Sequence, residues 1–550
     1  MAIWLVINLF QAGLTPLDPD EAYYWMYASS LDWGYFDHPP MVAVLIKLGT
    51  SLFDGIFGVR LFTVLLQLGF LYILWLLCDK PTDKWSISIF FALLLSMPLL
   101  QVYGFIATPD APLLFFSALF LWIYGQFLKT ESWVNTLFLG AVMAALLYSK
   151  YHGVLLIFFT VLSNLKLLTR PRFYLAGIFG IFLFFPHLYW QYQHDFPSFR
   201  YHLKGRDDPY QLKHTTNYLI NQFVVFGPLV FPLLLRAMWK KFPPREQIEK
   251  TYFFILIGFW VFFFWTTFKG HVEPQWTIIL CIPLVVFAVK QYRADQKLFR
   301  WYLSLGGISL VLILILRIAL TIPGLNLGNL NRQFRHQEWV TALEDRAAGN
   351  PVVFQNSYRD ASIYTFYTGQ QAFTFTDIDY RKNQFDLWNL ETVLNNKRVL
   401  LAGKEDWECR NCEWLTTDNK KILVREIAAF QPVWKLEAKV VFPEGQTLKK
   451  GEIPLELAFS HPYPYAVQLQ NPEMPVGFQG LFYQNAEIQD SMPLNLLDTL
   501  LTIPVKDTVK VKAMLQVPEQ LEGSFDFYIG LQFLEFPPVF CSKATKVDIE

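Results

Sequence analysis

The stretch DPDEAYYWMYASSLDWGYFDHPPM, residues 18–41, is rich in groups that can exchange protons. It holds five carboxylates and one histidine, in a chain of which only 17% of residues are charged. Asp18 is suited to cap a helix, with Pro19 at the first helical position and Glu21 at the third, completing a capping box. Capping leaves Asp20 over, and a carboxylate there could accept a proton from a substrate hydroxyl. The alternative is that these residues only begin a surface helix.

A second motif, YFDHPP at residues 35–40, ends the same stretch. The two prolines stop one element, and the apolar residues 41–53 that follow are too few to span a bilayer. They are predicted to form a helix in the membrane interface. His38 precedes a proline and is therefore predicted to be extended. The alternative to a functional motif is a structural turn capped by Asp37.

Other polar groups stand at the ends of apolar runs. Asp110, in ATPDAPLLFF, could contact a substrate or merely cap a membrane helix. Lys150 and Arg60 could extend to the membrane surface along their aliphatic stems, or could hold a lipid phosphate.

The composition indicates an integral membrane protein with a soluble part. Of 550 residues, 53% are hydrophobic and 17% aromatic, and a span needs roughly 20 apolar residues. The zero net charge gives no field that attracts nucleic acid, and no Walker, Rossmann or zinc-finger pattern is present. Eleven spans are predicted, near 2–15, 59–78, 86–105, 111–128, 133–149, 153–168, 173–192, 219–238, 251–268, 274–289 and 301–321.

The distribution of lysine and arginine predicts the orientation of these spans. The short basic loops belong in the cytoplasm, together with the N-terminus. The opposite, outer face then receives residues 18–41, Asp110, Lys150, the loop 194–218 and the loop 269–276. Titratable groups therefore converge on one side of the membrane.

The remainder of the chain has a different character. A membrane domain is predicted over 1–322, and no spanning run follows it. Residues 325–428 are predicted to form an α/β domain. Alternating apolar and polar residues predict an antiparallel β-sandwich over 430–550. Both regions are expected on the outer face.

The soluble part contains a single CxxC, formed by Cys409 and Cys412. One such pair cannot complete a tetrahedral zinc site. In an oxidising compartment the two could form a disulfide, and a fortuitous pair of thiols is the alternative.

The first-loop residues resemble a known family. DE at 20–21 followed by YFDHPP is similar to the first outer loop of the protein O-mannosyltransferases. The whole stretch resembles bacterial members of glycosyltransferase family 39, and more distantly the lipid A aminoarabinose transferases. ATPDAPLLFF, YSKYHG and GHVEPQW resemble further segments. The resemblance covers about residues 15–320 and implies a GT-C fold. With the patterns above, the expected fold class is a polytopic α-helical membrane protein of about 11 spans, followed by a soluble α/β plus β-sandwich region.

The resemblance also implies an activity. Such enzymes transfer a sugar from a polyprenyl-phosphate carrier to an acceptor hydroxyl, here at the outer face of the bacterial inner membrane, with inversion. Asp20 would be the general base, with Glu21 beside it in the catalytic site. Substrate contacts are implied for Tyr35, Asp37, His38 and Asp110. The cations implied for the lipid phosphate are Arg60, Lys150, Arg200, Arg206, Lys269 and His271.

Several alternatives stay open. No metal is required if lysine and arginine neutralise the phosphate, whereas His38, His271 and Glu273 could bind a divalent ion. The acceptor could be a protein, lipid A or a glycan. Rival functions are a lipid-linked glycan ligase, a non-catalytic binding protein, and a lipid or sugar flippase or transporter. Charged residues inside the spans, which a transport path would need, are sparse.

Overall fold

The chain folds as two compact units, Met1–Phe334 and Arg335–Glu550. The computed structural model describes residues 1–204, 209–322, 325–328, 331, 334–404, 407, 409, 411–442, 447–484, 487–497 and 502–550.

The first unit is built from helices. Two 3-10 helices, Leu165–Thr169 and Pro274–Leu280, accompany the α-helices. These are α1 Ala2–Leu14, α2 Pro19–Ser29, α3 Met41–Thr50, α4 Gly55–Leu77, α5 Lys84–Leu95, α6 Pro98–Val102, α7 Asp110–Lys129, α8 Trp133–Ser149, α9 Gly153–Ser163, α10 Pro171–Gln193, α11 Pro197–Lys204, α12 Leu212–Phe226, α13 Phe231–Trp239, α14 Gln247–Thr266, α15 Cys281–Ala294 and α16 Gln296–Ala319.

Six of these helical segments, within the described residues, are long and apolar enough to cross a membrane. They are α4, α7, α10, α14, α16 and the continuous run Pro274–Ala294, which includes α15. The pair α12 and α13 would make a seventh span, bent by 88°. Helices α1, α3, α5, α8 and α9 are apolar but shorter. The multi-pass membrane unit is thus confirmed, while the number of eleven spans stays a prediction.

Two predicted spans are interrupted rather than continuous. The span expected over 86–105 divides into α5 and α6 because Pro98 starts a new helix after the break. The span expected over 219–238 breaks at Gly227, whose φ of 98° suits glycine. The two breaks pack together, since a Cβ added at Gly227 would lie 2.9 Å from the Ser96 carbonyl oxygen.

The short helix α3 packs its apolar face on its neighbours. Val42, Ala43 and Ile46 are buried, and the helix lies against α2 and α4. A glycine pair allows α3 and α4 to approach closely, since a Cβ on Gly49 would lie 2.0 Å from the carbonyl oxygen of Gly58. The predicted helix after the YFDHPP motif is therefore present, and its place in the membrane interface stays a prediction.

The second unit combines short helices with two large sheets. Its helices are α17 Gln337–Ala347, α18 Tyr358–Thr368 and α19 Gln384–Leu387, with a 3-10 helix Leu390–Leu394. Its strands are β1 Val352–Gln355, β2 Phe373–Phe375, β3 Lys397–Gly403, β4 Glu413–Thr416, β5 Lys421–Phe430, β6 Glu437–Val441, β7 Thr447–Leu448, β8 Gly451–Ser460, β9 Val467–Gln468, β10 Val476–Gln484, β11 Glu487–Leu496, β12 Thr502–Ile503, β13 Val509–Val517, β14 Gly523–Phe533, β15 Val539–Phe540 and β16 Thr545–Ile549.

The first sheet has the order β2-β1-β3-β5-β4, with β1 parallel to β2 and β3 and the remaining pairs antiparallel. The second has the order β6-β8-β13-β11-β10-β14-β16-β7, with β15 beside β14. Most of its pairs are antiparallel, as the alternating sequence predicts. Side chains from both sheets enter one hydrophobic core, in which Phe375 contacts Trp434 and Phe533. The division into separate domains at 325–428 and 430–550 stays a prediction.

Cys409 and Cys412 are joined by a disulfide in the second unit. Of the two readings of the CxxC that the sequence left open, the structure shows the bonded pair. Cys78, Cys281 and Cys541 are free and buried.

Small residues let α8 and α10 pack backbone to backbone. A Cβ on Gly140 would lie 2.4 Å from the Ala176 carbonyl oxygen, and one on Gly180 would lie 2.9 Å from that of Gly140. Such small residues spaced four apart are typical of close helix pairs in membranes. This contact fixes α10, whose His187 and Trp190 side chains bond to Trp33 and Asp32, just before the YFDHPP motif.

We therefore expect Gly140→Ala to destabilise the protein by about 1–3 kcal/mol, because two backbones must separate to admit the methyl group. Thermal unfolding of the purified protein in detergent measures the loss. Gly177→Ala is the matched control on α10, since nothing lies within 4 Å of the added Cβ. Equal melting temperatures for the two variants would contradict the close contact.

Candidate functional site

The start of α2 is capped as the sequence predicts. The Asp18 side chain accepts a hydrogen bond from the Asp20 backbone N–H at 2.9 Å, and Pro19 occupies the first turn. The Glu21 carboxylate accepts the Asp18 N–H at 3.0 Å and completes the capping box. The side chain of Asp20 lies outside this box and is half-buried. At the start of α2, therefore, Asp18 and Glu21 form the capping box, and the Asp20 side chain is not part of it.

Glu21 also forms an ion pair that the sequence did not reveal. Its carboxylate accepts Arg60 Nε at 2.8 Å and Nη2 at 2.5 Å, and both side chains are fully buried. The backbone N–H of Ala107 donates to the same carboxylate at 2.7 Å. Glu21 thus joins α2 to α4 and to the segment that precedes α7.

All five N–H groups of Arg60 are used inside the protein. Besides Glu21, they donate to the carbonyl oxygens of Ala12, Thr15 and Pro16, at 3.2, 2.6 and 2.9 Å. The structure therefore gives Arg60 no donor for the predicted phosphate contact. The buried Glu21 carboxylate accepts four hydrogen bonds from the protein, so it positions the surrounding segments, and its predicted place in the catalytic site stays untested.

Four carboxylates lie within electrostatic range of Tyr103, a buried residue between α6 and α7. Asp18, Asp20, Asp110 and Glu273 all act electrostatically on its hydroxyl. They come from the first loop, the start of α7 and the segment after α14, which therefore approach one another, while their convergence on one side of the membrane stays a prediction. Tyr103 was missed in the sequence because nothing local distinguishes it from an interface tyrosine.

Asp110 forms a second buried ion pair, with Lys150. The Lys150 ammonium donates to both carboxylate oxygens, at 2.7 and 2.8 Å. The pair joins the first turn of α7 to the residue that follows α8, and the two residues are only 3% and 5% exposed. Glu273 also acts electrostatically on Asp110. Lys150 is therefore engaged with a carboxylate in this structure, not with a free anion site.

Tyrosines hold Asp37 in place. The hydroxyls of Tyr23 and Tyr27 donate to Asp37 Oδ2 at 2.9 and 3.2 Å. Burial raises the pKa of Tyr27, and Tyr23 and Asp37 raise it further, so that hydroxyl stays protonated and remains a donor. Asp37 itself is 4% exposed. These bonds fix the loop, whereas the predicted substrate contact of Asp37 stays untested.

Tyr35 has a structural environment. Its hydroxyl donates to the carbonyl oxygen of Tyr27 at 3.0 Å and accepts the Asp32 N–H at 3.0 Å. Its ring is buried and stacks on Tyr27 with centroids 4.0 Å apart. The structure therefore places Tyr35 in the core of the first loop, away from the substrate contact that was expected.

Helices α10 and α11 hold the YFDHPP motif from the other side. The Ser198 hydroxyl donates to the Tyr35 carbonyl oxygen at 2.9 Å, and His202 Nε2 lies 3.2 Å from the Asp37 carbonyl oxygen. Gly34 permits this approach, since a Cβ there would lie 2.5 Å from the Trp190 ring. The half-buried His38 ring lies 6.5 Å from that of His202. His202 was not singled out in the sequence, although it lies in the loop expected on the outer face.

Three of the remaining predicted phosphate ligands are exposed on the surface, and the fourth lies outside the residues that the structure describes. Arg200 pairs with Asp195 at 2.5–2.6 Å, with both side chains more than half exposed. Lys269 and His271 are exposed, and His271 Nε2 is 3.8 Å from Glu273 Oε2. Arg206 lies outside the described residues.

A divalent ion site was an alternative for His38, His271 and Glu273. His271 and Glu273 lie 3.8 Å apart. Within the described part of the chain, no group of three His, Cys, Asp or Glu residues is placed to hold a metal ion.

Removing one partner of the buried Glu21–Arg60 pair should be costly, because the other charge is left buried alone. We expect Glu21→Gln to destabilise the protein by about 3–5 kcal/mol. Thermal unfolding in detergent measures this. The double variant Glu21→Gln/Arg60→Met should lose less than the two single variants added together, and strict additivity would contradict the coupling.

Comparison with known proteins agrees with this geometry. The family model described as dolichyl-phosphate-mannose-protein mannosyltransferase matches residues 37–190. This segment starts inside the YFDHPP motif and includes Asp110 and Lys150.

Two individual proteins extend the comparison. A lipid A galacturonosyltransferase, RgtD of Rhizobium johnstonii, is 24% identical over 394 residues, which are 67% of this chain and 81% of the relative. The crystal structure of ArnT from Cupriavidus metallidurans bound to undecaprenyl phosphate is 15% identical. It matches with a TM-score of 0.56 over 77% of this chain and 96% of that one.

The likeness to ArnT confirms the fold that the first-loop motif implied, a helical GT-C membrane unit followed by a strand-rich region. Together with the sequence matches, this likeness supports an enzyme of the glycosyltransferase class.

Proposed function

We propose that this protein transfers a sugar from a polyprenyl-phosphate carrier to an acceptor hydroxyl at the outer face of the bacterial inner membrane. Undecaprenyl phosphate is the proposed carrier, because the structurally similar ArnT was crystallised with it. Lipid A is the proposed acceptor, since the relative RgtD is a lipid A galacturonosyltransferase. The second unit, Arg335–Glu550, is proposed to lie on the same outer side, where its disulfide would persist.

The position of Asp20 carries the proposal. Asp20 lies in the first turn of α2, between the capping residues Asp18 and Glu21 in the sequence, and its half-buried side chain is partly accessible. It shares its surroundings with Asp110 and Glu273 around Tyr103. A carboxylate held on a helix start by a rigid neighbour is well placed to act as a general base.

The proposed reaction is a single displacement. Asp20 takes the proton of the acceptor hydroxyl while the hydroxyl oxygen bonds to the anomeric carbon of the donor sugar. The bond between that carbon and the phosphate oxygen breaks, and the carrier phosphate leaves with the bonding pair. A single displacement of this kind inverts the configuration at the anomeric carbon.

The leaving phosphate gains negative charge and needs cations beside it. Of the predicted ligands, Lys269 and His271 are the exposed ones next to Glu273, which belongs to the carboxylate group around Tyr103. We propose these two as the phosphate contacts. Lys150 would act through Asp110, whose carboxylate it holds.

Asp20→Asn should lower the rate of sugar transfer by about 10²–10⁴-fold, because the amide cannot take the proton. Mass spectra of lipid A and other glycolipids, from cells with and without the gene, identify the product. Its rate of formation in membranes is then compared between wild type and variant.

The matched control is Asp54→Asn, an exposed aspartate at the N-cap of α4 that makes no capping bond through its side chain. It should transfer at the wild-type rate. A folded, inserted Asp20→Asn protein with wild-type transfer would refute the catalytic assignment. A product that carries an oligosaccharide instead of one sugar would indicate a ligase.

Lys269→Ala should raise the KM for the polyprenyl-phosphate donor by about tenfold, because one charge-assisted contact to the phosphate is lost. The KM for the acceptor should not change. Lys213→Ala, which removes another exposed lysine at the start of α12, is the control. Equal effects of both changes would indicate general membrane electrostatics rather than a phosphate contact.

A further inference from the structure

The second unit contains a groove of about 920 Å³ beside β4, which is the edge strand of the five-stranded sheet. This volume is within the range of about 300–1,000 Å³ that is usual for small-molecule sites. The residues that line it are Trp407, Cys409, Cys412, Trp414, Leu423, Pro475, Val476, Gly477, Gln532, Leu534 and Glu535.

Two tryptophans give the groove its aromatic character. Trp414 lies on β4 and is 52% exposed, so much of a large apolar ring faces water. Trp407 is buried and stacks on Phe536, with ring centroids 4.2 Å apart and planes 17° from parallel. The disulfide between Cys409 and Cys412 crosses the segment between the two tryptophans. The aromatic wall is thus held by covalent and stacking contacts.

The polar side chains of the groove are oriented in advance. Gln532 accepts a hydrogen bond from the Gln479 amide at 2.6 Å and donates to the Phe536 carbonyl oxygen at 3.3 Å. Glu535 is held by Arg425 Nη1 at 2.8 Å. A fixed amide and a fixed carboxylate therefore face the groove, and the ion pair makes the Glu535 side of it electrically neutral.

We propose that this groove binds a saccharide chain. A sugar ring has an apolar C–H face, whose weakly positive hydrogens fit the negative face of an indole. Its rim carries hydroxyls that both donate and accept, as a carboxamide and a carboxylate require. In this groove, the exposed ring of Trp414 can contact the C–H face of a sugar, and the side chains of Gln532 and Glu535 can bond to its hydroxyls. The neutral ion pair favours an uncharged saccharide.

The main competing occupant is a peptide. An edge strand such as β4 can accept an extended peptide as an added strand. That mode uses backbone hydrogen bonds and apolar side-chain pockets, whereas the groove offers oriented polar side chains and an exposed indole face. The saccharide is therefore the occupant that the lining favours.

The test uses the full chain in lipid nanodiscs with three neutral probes, maltotetraose, cellotetraose and mannotetraose, followed by saturation-transfer NMR. We expect saturation of ring C–H protons of at least one probe. Trp414→Ala should weaken binding about tenfold, equivalent to losing one aromatic contact. Gln532→Ala should weaken it several-fold, and Trp414→Phe should keep most of it.

Leu497→Ala is the control, because Leu497 is 58% exposed in the same unit and does not line the groove. Its binding should equal that of wild type, and melting temperatures show that each variant is folded. No saturation transfer to any probe, or binding that is indifferent to Trp414→Ala, would overturn the inference. So would Trp414-dependent binding of a strand-forming peptide in the absence of saccharide binding.

This inference concerns binding alone and is separable from the proposed reaction. Asp20→Asn should bind the probe like wild type, because Asp20 belongs to the first unit. Wild-type transfer by Asp20→Asn would refute the catalytic assignment alone, whereas absence of probe binding to the wild-type protein would refute the groove alone.

Discussion

The arrangement of the membrane unit depends on one buried ion pair. Glu21 and Arg60 have no exposed surface, and each is saturated by hydrogen bonds. An isolated charge in such a place would cost several kcal/mol, so the pair holds only while both partners are present. Since Glu21 also receives the Asp18 and Ala107 N–H groups, the pair fixes the start of α2 relative to α4 and to the approach to α7.

This constraint explains how separate loops can build one site. Asp20 adjoins Glu21 on α2, and Asp110 follows the segment that Ala107 anchors. Lys150 then holds Asp110, which ties the end of α8 to the same place. Asp20 and Asp110 thus each have a rigid neighbour, which favours preorganised chemistry.

The comparison of prediction with structure shows which predicted site residues have structural contacts of their own. Arg60 was predicted to bind phosphate and Glu21 to lie in the catalytic site, but in the structure the two form a fully buried ion pair with each other. Tyr35 belongs to the YFDHPP motif, but its side chain packs in the core of the first loop, where its hydroxyl bonds to the backbone of Tyr27 and Asp32. Two predicted spans break at Pro98 and Gly227, since these residues disfavour a continuous helix and the two breaks pack on one another.

The sequence alone determined those features that depend on residues close together in the chain. Apolar length indicated a multi-pass membrane unit, alternation indicated a strand-rich second unit, and residue order at Asp18–Glu21 indicated the capping box. Only the tertiary structure decided which charges pair, because Glu21 and Arg60 are 39 positions apart and Asp110 and Lys150 are 40 apart. Spacing along a chain carries no information about such contacts, whereas burial makes each of these charges depend on the partner that the fold brings to it.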